Sequence, residues 1–137
     1  MGPIKRWWDG RGGLPGSVRQ ELEAEGLVLL EERMKGRVTY RNYVVVGQRP
    51  TSGDQPTIAS LALTPQRLVI RGTQGVQLEA GPGPVTSEVK GDGVLVLRYE
   101  AADIYSSRSG SVEMELSTPR AADIHASLRA WTQTSAS

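Results

Sequence analysis

Between residues 37 and 116 the apolar side chains recur at every second position, and beyond residue 120 they recur every third or fourth. That single switch of period constrains the fold more than any other feature of the chain. A period of two puts successive side chains on opposite faces of a strand, whereas three-then-four spacing gathers them on one stripe of a helix. In segment 37–46, Val38, Tyr40, Val44 and Val46 fall on one face and Thr39, Arg41 and Tyr43 on the other. Segment 47–56 carries two prolines and two glycines, together with Ser52 and Asp54, and is expected to be an exposed loop. Strands at 57–63 and 67–71 flank the break Thr64-Pro65-Gln66 and form a hairpin. After a turn at 72–75, Val76, Leu78 and Ala80 alternate with Gln77 and Glu79. Gly81-Pro82-Gly83-Pro84 can only link sheet segments, because proline has no amide hydrogen for a ladder. Strands at 85–89 and 94–99 surround Lys90-Gly91-Asp92-Gly93, which has the composition of a tight turn. A polar connection at 100–110 leads to the last strand, where Val112, Met114 and Leu116 point inward and Glu113 and Glu115 toward water.

The helical stretch opens on Thr118-Pro119, a capping hydroxyl followed by the residue best tolerated in a first turn. Its apolar stripe is Ala121, Ile124, Leu128 and Trp131, and Trp131 is expected to be buried against the sheet. A polar, frayed tail is expected at 132–137. Near the other end, Ser17 and Gln20 form a capping box, Val18 and Leu22 lie one turn apart, and Gly26 stops the helix, so a short helix is expected over 17–25. Segment 27–34 is apolar and then charged; it fits strand or helix by periodicity, with strand favoured because Gly26 interrupts a helix entering it. The chain therefore divides into a flexible N-terminal arm at 1–16, one domain at 17–131 and a tail at 132–137.

Composition narrows the functional classes. The 137 residues carry 16 basic and 15 acidic side chains, a balance that lacks the basic excess of a nucleic-acid binder. With no cysteine and one histidine, thiolate chemistry and any site built on Cys or on two His are excluded. The absence of phenylalanine makes the core aliphatic. His125 has no second histidine or cysteine to work with, and Asp123 points to a different helix face. Ser106, Ser107 and Ser109 lack the glycine frame of a nucleophile elbow. Glu21, Glu23, Glu25, Glu31 and Glu32 lack the spacing of a calcium loop or a dimetal helix pair. No catalytic residue, metal ligand, cofactor or small-molecule substrate is implied. Lys5-Arg6 precedes Trp7, Trp8 and Asp9 rather than an apolar run, so no signal peptide is read, no stretch is long enough to span a bilayer, and a cytoplasmic location is expected.

The segment Leu61-Ala62-Leu63-Thr64-Pro65-Gln66-Arg67-Leu68-Val69-Ile70 resembles the LTxxRL hairpin of bacterial PH-like and GRAM-type domains. The order of elements, a run of strands and then one amphipathic helix, is similar to the pleckstrin-homology superfold. The resemblance implies a mainly β (α+β) fold: a bent, partly open antiparallel barrel of about seven strands with a C-terminal helix plugging one end, here with a short N-terminal helix in addition. Some eukaryotic members of that superfold bind phosphoinositides and others bind peptides. The basic first-hairpin pattern needed for the lipid function is missing here. The corresponding loop sets Arg49 against Asp54, and Lys35 and Arg37 precede the strand instead of lining the loop, whereas phosphate recognition needs converging donors. The resulting expectation is a non-enzymatic interaction module that contacts a protein partner through a strand edge, a loop end or the arm. The alternative is peripheral association with a membrane surface through Lys5, Arg6, Trp7 and Trp8, where bases and indoles are adjacent.

Overall fold

The longest element is β1 (Leu29–Val45), seventeen residues of extended chain that pair with β2 on one side and β7 on the other. The computed structural model describes residues 16–73 and 76–136, without the side chains of 134–136. Lys5, Arg6, Trp7 and Trp8 lie outside the described residues. The remaining strands are β2 (Thr51–Leu63), β3 (Leu68–Gly72), β4 (Gln77–Ala80), β5 (Thr86–Lys90), β6 (Val94–Glu100) and β7 (Arg108–Ser117). All neighbours are antiparallel, in the order β4-β3-β2-β1-β7-β6-β5. The sheet curls into a half-barrel with α1 (Gly16–Ala24) and α2 (Ala121–Ala136) packed on it. Among the described residues no helix is long and apolar enough to cross a membrane.

The inner face is aliphatic, as the missing phenylalanine requires. Met34, Val38, Leu61, Ile70, Leu78, Leu97, Met114 and Leu116 meet there with Ile124 and Leu128 of α2 in one cluster. Thr118 accepts the Arg120 amide on its hydroxyl at 3.1 Å and so caps the start of α2. A smaller cluster lies on the opposite face, where Leu22 of α1 covers Ala62 and Val69. The β2–β3 hairpin is therefore buried on both sides. That is why its sequence is continuously apolar instead of alternating.

Two bulges in β1 correct the sequence reading. Between Glu31 and Met34 two β1 residues oppose Ser60 alone, and between Tyr40 and Tyr43 two oppose Ser52 alone. At both places the extra residue adopts a positive φ, 58° at Arg33 and 54° at Asn42. Both are held by the same device: the Arg33 amide donates to Ser60 Oγ at 3.0 Å and the Asn42 amide to Ser52 Oγ at 3.0 Å. Each inserted residue reverses the parity of the strand beyond it. Tyr43, expected opposite Tyr40, thus joins it against the core, and Val46, expected inside, is 75% exposed. Gly110 sits across the second bulge at φ 100°, and a methyl there would overlap the Asn42 carbonyl.

The expected loop at 47–56 is exposed, but β2 begins within it at Thr51. Pro56 is tolerated because, among the described residues, this part of β2 has β1 as its only strand neighbour, which leaves an edge that needs no proline amide. Segment 27–34 enters β1 at Leu29. Helix α2 runs past residue 131 and continues to Ala136. Trp131 is half-buried and not fully buried; its indole nitrogen donates to the Pro65 carbonyl at 3.0 Å.

Candidate functional site: a free sheet edge beside the C-terminal helix

The sheet order leaves two edges, β4 and β5. The link 81–85 carries the chain from one to the other, and its two prolines keep it out of either ladder. The β4 edge is partly covered, since the Tyr105 hydroxyl donates to the Gln77 carbonyl at 3.2 Å. Among the described residues β5 pairs with β6 alone, leaving its outer row of amides and carbonyls without a strand partner. Along β5, Thr86, Glu88 and Lys90 are exposed on the outer face, while Ser87 and Val89 turn inward.

Helix α2 lies beside the inner side of this edge. Ser87 Oγ and His125 Nδ1 share a hydrogen bond of 2.8 Å that ties strand to helix. A groove of about 330 Å³ runs between them, lined by Val85, Thr86, Leu128, Arg129 and Thr132 among others. Among the described residues, Arg129 is the one charged residue in its lining. A larger hollow of about 550 Å³ meets it at Gly83 and Thr86 on the outer face, with Arg41, Arg98, Glu100 and Glu113 in its wall. The charges there answer one another: Arg98 is bonded to Glu113 at 2.7 Å and to Glu88 at 2.6 Å, and both carboxylates hold its guanidinium above the usual range. Lys90 reaches Glu115 at 3.2 Å. With Arg98 already matched and carboxylates interleaved, such a wall offers no converging donors to a phosphate.

The half-barrel end away from α2 holds all four tyrosines. Tyr40 and Tyr43 lie 5.1 Å apart, Arg108 donates to the Tyr43 hydroxyl at 2.9 Å and stacks 4.5 Å over the Tyr105 ring. Burial pushes the Tyr99 phenol well above its ordinary value, and the neighbouring phenols add to the shift while Arg108 opposes it. Tyr99 closes the aliphatic core at that end, with Tyr40 and Tyr43 packed against it.

The sequence-level candidates are sorted by this geometry. Of the Lys-x-Arg pair, Arg37 is bonded to Asp54 at 2.6 Å and so is already matched on its strand face. Glu21 and Glu25 hold Arg67, Glu31 holds Arg120 and the Thr118 hydroxyl, and Glu32 holds Arg19. Among the described residues no group of acids or histidine could hold a metal. His125 bonds Ser87, and among the described residues no carboxylate orients its other nitrogen, which leaves a hydroxyl–imidazole pair without the third member of a catalytic triad. The LTxxRL segment proves to be a clamp. Thr64 Oγ1 accepts the Gln66 and Arg67 amides at 3.2 and 3.1 Å, and Arg67 grips Glu21 of α1, Glu25 just past its end and Glu79 of β4. The β5 edge and its groove had no signal in the sequence beyond Ser87 and Val89 alternating with charges, because an edge is defined by which strands fail to meet. Against family models, curated proteins and solved structures, the chain has no match.

Proposed function

We propose that this chain is a non-enzymatic interaction module of PH-like architecture that engages an extended segment of a partner protein along β5. The observation that carries the reading is the unpaired β5 edge beside the α2 groove. An edge supplies main-chain hydrogen bonds to any extended chain, and a flanking groove selects its alternate side chains. Val85 and Leu128 would favour an apolar residue there and Arg129 an acidic one. The strand order and the C-terminal helix are what a pleckstrin-homology-like half-barrel would have, and the hairpin 61–70 points the same way. The interleaved charges of the outer face speak against a head-group or nucleic-acid surface.

The test is chemical cross-linking through Lys90 in extract of the native cell, with the chain and an Arg129→Glu/Thr132→Trp variant as parallel baits. The variant reverses the charge of the groove and fills it. The expected result is a partner peptide cross-linked to Lys90 of the first bait and absent from the second. Equal recovery with both baits would refute docking at this edge.

A further inference from the structure

Taking the β5 edge as an open docking edge, on which the proposed function also rests, we infer that in the absence of another partner it pairs with β5 of a second copy of this chain. An antiparallel neighbour of β5 must carry side chains that complement it. On the outer face such a strand needs an acid opposite Lys90 and a base opposite Glu88, with an inward apolar residue opposite Val89 between them. In the neighbour's own direction that is Glu-Val-Lys. This is the sequence of Glu88-Val89-Lys90 itself.

A two-fold axis through the Val89 pair thus sets Glu88 against the second copy's lysine and Lys90 against its glutamate, twice over, with the valines facing each other. The neighbouring register centred on Glu88 brings like charges together and is disfavoured. Both groups are reachable: the Glu88 and Lys90 side chains are 53% and 68% exposed although each has an intramolecular partner in Arg98 and Glu115. The axis lies at the hairpin end of the strand, whereas the α2 groove is lined by Val85, Thr86 and Ser87 at its other end. The pairing joins two seven-stranded sheets into one and occupies hydrogen-bonding groups that a partner segment needs. Self-pairing therefore regulates the same site by competition.

Sedimentation velocity over a concentration series tests it, with Glu88→Lys and Lys90→Glu each alone and then mixed. The wild type is expected to show a reversible monomer–dimer equilibrium, and each single variant to dissociate about tenfold more readily, because both cross-strand pairs become repulsive. The mixture restores association, since an all-basic edge on one chain then faces an all-acidic edge on the other and both cross-strand pairs attract again. Circular dichroism confirms that both variants are folded. A mixture no more associated than its components would overturn the inference. So would a wild type that stays monomeric throughout, while the partner reading would still stand or fall on the Lys90 cross-links.

Discussion

Gly36 lies in the middle of β1 opposite Leu116 of β7, where the two backbones approach closely. A methyl group at this position would overlap the Glu115 carbonyl oxygen and sit 2.9 Å from its carbon and 3.0 Å from Leu116 Cα. These are backbone atoms, so no rotamer change relieves the clash and β1 must move away from β7. The flanking pairs Lys35–Ser117 and Arg37–Glu115 would stretch with it. Overpacking of this kind costs about 1–3 kcal/mol, and weakening adjacent ladder hydrogen bonds adds about 1 kcal/mol each, so Gly36→Ala should destabilise by about 3 kcal/mol or more. At about 2.1 cal/mol/K of unfolding entropy per residue, the 137 residues convert that to a fall in Tm of about 10 °C. Thermal unfolding followed by circular dichroism measures it. Gly81→Ala is the control, because nothing lies within 4 Å of a methyl there. A Gly36→Ala variant that melts with the wild type would refute the register that places β7 against β1.

The raised phenols of Tyr40, Tyr99 and Tyr105 should titrate above the free phenol, visible as a delayed rise of phenolate absorbance. Because a raised pKa means the folded state holds its proton more tightly, the stability they contribute is complete below about pH 10 and is lost as pH climbs through the folded values; an unchanged alkaline unfolding midpoint in Tyr99→Phe would contradict this. Arg67→Ala removes the grip on Glu25, Glu21 and Glu79, and should cost about 1–2 kcal/mol and raise amide exchange in α1 before the sheet; uniform exchange would show that α1 is held otherwise. The Glu25 carboxyl is lowered chiefly by its bond to Arg67, so its contribution is present above the ordinary carboxylate range and fades as pH falls through the folded value, an acid sensitivity that Arg67→Ala should reduce to the part held by the Thr64 hydroxyl. Trp131→Ala should cost about 2 kcal/mol rather than the roughly 3–5 kcal/mol of a fully buried ring, since the indole is only half-covered; an unchanged Tm would mean that α2 does not rest on the Pro65 turn.

Most of the extended stretches, and nearly where α1 and α2 begin, could be read from the chain because both depend on neighbours a few residues apart, although β2 starts at Thr51 inside the segment expected to be a loop and β7 at Arg108 inside the expected connection. Val112, Met114 and Leu116 alternate whatever they pair with, and Thr118-Pro119 opens a helix by satisfying its own first turn. Other features arise only from contacts across the fold. Arg33 and Asn42 adopt left-handed backbone because Ser60 and Ser52, 27 and 10 residues away, accept their amides, and the parity of β1 reverses behind each of them. Val46 and Tyr43 therefore exchanged the sides that strict alternation gives them. Thr64 was legible as the start of a turn and Arg67 as the start of the returning strand, but their role of clamping α1 depends on Glu25, 39 and 42 residues distant. The candidate site was the least legible of all. Ser87 meets His125 across 38 residues, and β5 is an edge only because β7 closes on β1 and leaves β6 the last strand but one. Local preference fixes the conformation of a segment, whereas an unpaired edge is a property of the whole sheet, set by which long-range pairings bury the most apolar surface.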